Sequence, residues 1–93
     1  MKSIYKIIWS DEALVNLKNI INYLENHWTE AEIKKFAKLL DKHLNLLQDN
    51  PFLFPKSTQL SGLRKSVISK QTSIYYQIVQ NKVHIISLFD NQN

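Results

Sequence analysis

The 93-residue chain has no cysteine, one glycine, two prolines and a single arginine, Arg64. Without cysteine there are no disulfides, no thiolate chemistry and no zinc site of the Cys type, so the fold must stand on packing alone, which suits a reducing cytosol. One glycine cannot make a glycine-rich phosphate cradle. The serines lack the sharp glycine-flanked elbow that presents a nucleophile. No apolar run approaches the length that spans a bilayer, and MKSIYKIIWS, interrupted by Lys6, lacks the continuous apolar region and cleavage site of a secretory signal. No membrane association is expected. The length leaves room for one domain, residues 1–93, and a hydrophobic fraction of 44% is ample for its core.

Net charge is +4, and all of the excess lies late in the chain. Through Pro55, seven lysines balance seven acids; beyond it Lys56, Arg64, Lys65, Lys70 and Lys82 face only Asp90. A basic segment joined to a neutral one suggests a surface for a polyanion or an acidic partner, with edge protection and solubility as the alternative use of the same lysines.

IYKIIW, Ile4 to Trp9, is β-branched and aromatic and reads as a short strand. Ser10 stands as an N-cap before Asp11 and Glu12, and Ala13, Leu14, Leu17, Ile20, Ile21, Leu24 and Trp28 recur at three- and four-residue steps. That spacing predicts a helix to about His27. TEAE then offers a capping box, Thr29 with Glu32, for a second helix through Ile33, Phe36, Ala37, Leu40, Leu44 and Leu47 that ends at Asn50-Pro51. PFLFPKSTQLSG reads as a returning loop. Three strands are expected after it: Leu63 to Ile68, Thr72 to Val79 and Val83 to Phe89.

Ile74, Tyr76 and Ile78 share one face of the middle strand, Tyr75, Gln77 and Val79 the other. The last run is apolar on both faces, with Val83, Ile85 and Phe89 set against Ile86 and Leu88, and so belongs inside a sheet. The expected architecture is α+β, in the order β-α-α-β-β-β, with a helical hairpin packed on one face of a mainly antiparallel four-stranded sheet. The opposite face stays partly open. With Leu63 and Val67 turned inward, Arg64 and Ser66 are expected on that open face beside Tyr75 and Gln77, as a cation, a hydroxyl and an aromatic ring suited to a nucleic-acid backbone and base.

Other chemistries find little support. His27, His43 and His84 lack the close spacing of metal-ligand pairs, so no metal and no cofactor is expected. Seven of the eight acids lie on or beside the helices, which disfavours a carboxylate pair at the sheet.

The ordered set WSDEAL, IINYLENHW running into TEAEIKKFAKLL, LNLLQDNPFLFP, GLRKSVI, SIYYQI and KVHIISLFD resembles the RelE/ParE superfamily of type II toxin-antitoxin toxins over essentially the full length, closer to ParE-like members. The resemblance implies a last strand lying between the first and the third, and a cognate antitoxin protein whose flexible tail covers the toxin. It implies one of two activities. ParE-like members poison DNA gyrase by binding, whereas RelE-like members cut messenger RNA on the ribosome with strand-borne arginine and lysine and a C-terminal tyrosine or histidine. The basic residue after leucine in LR corresponds to Arg64. Candidate catalytic residues are Arg64, Lys65 and His84; candidate target- or nucleic-acid-binding residues are Arg64, Lys65, Lys70, Tyr75 and Lys82. The ending LFDNQN lacks the arginine and tyrosine of nuclease members, which favours action by binding and leaves a non-toxic, antitoxin-binding relative as a further alternative.

Overall fold

The computed structural model describes residues 5–90. A strand β1 (Lys6–Trp9) leads into two helices, α1 (Asp11–His27) and α2 (Glu30–Asp49), and three strands follow, β2 (Arg64–Val67), β3 (Thr72–Val79) and β4 (Lys82–Asp90). The expected beginning of the first strand at Ile4 lies outside the described residues.

Both helices start where their caps predict. Ser10 Oγ accepts from the Ala13 amide, and the Thr29 hydroxyl and Glu32 carboxylate exchange bonds with each other's amides as a capping box. Ser10 also ties the strand-helix junction to the sheet: its amide donates to the Ile85 carbonyl and its hydroxyl to that of Ile86.

The sheet order is β1-β4-β3-β2. β1 runs parallel to β4, and the other pairings are antiparallel, so the sheet is mixed. β4 therefore lies between the first strand and β3, as the resemblance implies. Ala13, Ile20 and Leu24 of α1, Phe36 and Leu47 of α2, and Ile74, Tyr76, Val83, Ile85 and Leu88 of the sheet form one buried cluster, so both helices cover the same face. Each fully buried aliphatic side chain in such a cluster contributes about 1.5–3 kcal/mol of transfer free energy.

Two details of facing differ from the sequence reading. In β4 the register with β3 pairs Ser87 with Tyr75 and Ile85 with Tyr76, leaving Ile86 as a bulge. One extra residue reverses the alternation beyond it. Leu88 consequently joins Val83 and Ile85 in the core, while Phe89 turns outward and is 53% exposed. In β2 the facing is also inverted: Ser66 is fully buried and Val67 is 53% exposed. The register sets Ser66 opposite Ile74 and Arg64 opposite Tyr76, the core-facing residues of β3. Arg64 and Ser66 thus lie on the helix side and Lys65 and Val67 on the open side.

Where β1 ends, α1 completes the edge of β4. The Leu88 amide, which has no strand neighbour on that side among the described residues, donates to Asn16 Oδ1 at 3.1 Å.

Candidate target-binding groove

Arg64 is held in place from several directions. Its Nη1 donates to the Phe54 carbonyl at 2.6 Å, and its guanidinium carbon lies 5.2 Å from the centre of the Phe52 ring. The loop that supplies both groups is fastened to the sheet. The Tyr76 hydroxyl donates to the Pro51 carbonyl at 2.6 Å, the Lys65 amide to Pro55, and the Ser57 amide to Leu63. These bonds, with a bridge between Lys56 and Arg64, extend the sheet by a short segment past β2. Gly62, at φ +84°, makes the return turn in a region that side chains rarely adopt.

The anchored arginine borders an open groove of about 610 Å³ lined by Phe52, Lys56, Gly62, Arg64, Tyr76 and Gln77, among others. That volume falls within the range of small-ligand clefts. Two cations and an exposed aromatic ring suit the groove to an anionic or planar group. It offers no ready proton acceptor. Burial pushes the Tyr76 hydroxyl up to about 12, against an opposing pull from Arg64, so it remains protonated and committed to Pro51.

The remaining candidates do not converge on Arg64. Lys65 lies on the other face, with Nζ 5.8 Å from the centre of the Tyr75 ring. Tyr75 is only 4% exposed and donates to Gln59 Oε1, so its ring is covered by the loop rather than open to a base. Lys70 precedes β3 at one end of the sheet. Lys82 and His84 lie at the other end of that face, Lys82 opposite Lys6 and His84 opposite Ile8. Among the described residues no cluster of His, Asp or Glu is placed to hold a metal ion, and no helix is long and apolar enough to cross a membrane.

The sequence reading passed over one polar contact. His43, on α2, places Nδ1 2.8 Å from Ser66 Oγ and stacks on Phe54, with ring centres 5.7 Å apart. Burial first, and Lys42 second, hold its pKa below the usual histidine value. The signal was in the spacing: Phe36, Leu40, His43 and Leu47 follow one another at four, three and four residues, which puts His43 on the core-facing stripe.

Comparison with known proteins agrees with the fold. The family described as ParE toxin of type II toxin-antitoxin system, parDE, matches residues 7–92. No curated protein sequence matches. Among solved structures, the chromosomal ParDE system of P. aeruginosa superposes with a TM-score of 0.79 at 12% identity, covering 98% of this chain and 100% of that one. The E. coli DinJ-YafQ complex gives 0.64 at 13% identity over 94% and 92% of the two chains. The YoeB-YefM complex of Staphylococcus aureus gives 0.62 at 19%, over 91% and 94%. The family match runs through both helices and all four strands, and the chain belongs to the ParE toxin family of type II toxin-antitoxin systems.

Proposed function

We infer that the whole chain works as a single toxin domain in the cytoplasm, that it inhibits growth by binding a target, DNA gyrase, through the Arg64 groove, and that a cognate antitoxin neutralises it. One observation carries the choice of binding over cleavage: Arg64 sits on the helix side of the sheet while Lys65 and His84 sit on the other, so the three candidate catalytic groups do not face a common phosphate. Phosphodiester cleavage needs charge stabilisation and proton transfer at one locus. The groove supplies cations, and its one hydroxyl with a shifted pKa is held protonated. The antitoxin reading draws on the solved relatives, which include the ParDE system, DinJ-YafQ and YoeB-YefM.

RelE-like cleavage of messenger RNA on the ribosome is the second reading. It is favoured by the size of the groove and the pairing there of Lys56 with Arg64. Expression without the antitoxin separates the two. Filamentation with an induced DNA-damage response, together with inhibition of gyrase supercoiling by purified protein, is the expected result; prompt translation arrest with cut messages overturns it. Normal growth would instead mark a non-toxic, antitoxin-binding relative.

A further inference from the structure

Two of the anchors beneath the Arg64 groove, Phe54 and Ser66, share a common neighbour in α2. Phe54 accepts the Arg64 guanidinium through its carbonyl and stacks its ring on His43, so one residue connects the arginine to the helix. Ser66 lies two residues beyond Arg64 on the same face of β2 and meets the same imidazole at Nδ1. His43 therefore touches both the loop that receives the guanidinium and the strand that carries it.

We propose that His43 is a positioning residue for Arg64, holding Phe54 and Ser66 so that the guanidinium is presented to the groove, and that it does so as the neutral imidazole. The proposal rests on the reading that Arg64 meets the target. A neutral ring can accept a hydrogen bond from Ser66, whose hydroxyl has no exposure to water, and can lie flat against Phe54. An imidazolium there carries a charge into a half-buried site. From its own helix Lys42 is adjacent and repels it, whereas Asp41 and Asp49 occupy exposed positions. From β2 comes Arg64, a second cation, and β3 offers Ile74 and the protonated Tyr76. The Phe54 face gives an imidazolium some cation-π attraction. Burial and Lys42 both act against the imidazolium and hold the His43 pKa below the usual histidine value. Acidification therefore weakens the hold on both Phe54 and Ser66, and Arg64 loses its fixed acceptor.

The test uses the full chain labelled with nitrogen-15. The His43 ring proton is titrated alongside amide exchange at Lys65, whose amide closes the loop onto Pro55, and alongside the Arg64 Nε–H signal. The His43 imidazole is expected to titrate below the usual value, with Lys65 protection, measured against β3 and β4 amides, falling about three- to tenfold as it does so. The Arg64 signal should move over the same range. His43→Asn keeps a neutral polar group and should show no such pH dependence. Wild-type protection that stays flat through the His43 titration overturns the proposal, as does a His43→Asn protein that retains the full fall. If His43→Asn does not fold, the wild-type titration decides alone. Failure of the underlying functional reading looks different: Arg64→Ala then inhibits growth as strongly as wild type, whatever the exchange data show.

Discussion

The two faces of the β2-β3 hairpin use the same residue types for opposite purposes. On the helix side, Arg64, Ser66 and Tyr76 are polar, and each meets a partner inside the protein: Phe54, His43 and Pro51. On the open side, Lys65, Val67, Gln77 and Val79 present charge, amide and aliphatic surface; Val67 and Val79 are largely uncovered. Polar groups on the first face fix geometry, because a buried group left unpaired costs about 1–3 kcal/mol. Those on the second are available to something outside the chain. The arginine belongs to the first face and still reaches solvent at the groove, so a partner docking there would meet it already oriented. A side chain ordered in advance loses less entropy on binding.

The contrast can be broken by substitution. The largest loss is expected beneath the helix side: Leu47→Ala, fully buried, should lower unfolding free energy by about 3 kcal/mol in a denaturant melt. A loss no larger than that of a surface change would show that α2 does not cover this face in solution. Tyr76→Phe removes the donor to the Pro51 carbonyl and should cost about 2 kcal/mol.

The same hydroxyl predicts an alkaline limit. Its pKa is raised in the fold, so its contribution is complete below pH 10 and is lost as pH climbs from there toward about 12. Tyr76→Phe should flatten that part of the stability profile. His43 behaves in the opposite sense, because its folded pKa is depressed. Its contribution is present above about pH 6.5 and is lost as pH falls through the folded value.

Arg64→Ala should weaken growth inhibition and cost about 1 kcal/mol through the lost Phe54 bond, a modest destabilisation beside that of Leu47→Ala. On the open face Lys65→Ala should change stability by less than about 0.5 kcal/mol. Ser73→Ala is the smallest and sharpest case. The Ser73 hydroxyl is buried and finds no hydrogen-bond partner among the described residues, so its removal should leave the melt unchanged or raise it slightly. A clear drop would reveal a partner for that hydroxyl.

Much of the architecture was readable from residue order. Ser10 and Thr29 marked both helix starts, Pro51 marked the end of α2, and the two-sided apolar run from Val83 placed β4 in the interior. The facing of β2 was not readable. The apolar residues in and beside it disagree, Leu63 and Val67 sharing one phase and Ile68 the other, and a slip of one residue exchanges every side chain between faces. Ser66 looked like a surface serine because its partner, His43, lies 23 residues away on a helix. The Ile86 bulge has no marker such as glycine and shows only through its register with β3. The candidate site suffered most from the first ambiguity, since the facing of β2 decides which cations share a surface, whereas the bulge alters only the facing of Leu88 and Phe89.

β4, which lies between β1 and β3, is also the last of the described elements in chain order. β1 has no strand neighbour until β4 arrives, and Asn16 waits for an amide 72 positions downstream. Pairings of such long sequence separation are slow to form. Until β4 has emerged, β1 and the free edge of β3 have nothing to pair with, so the four-stranded sheet closes only with its final element.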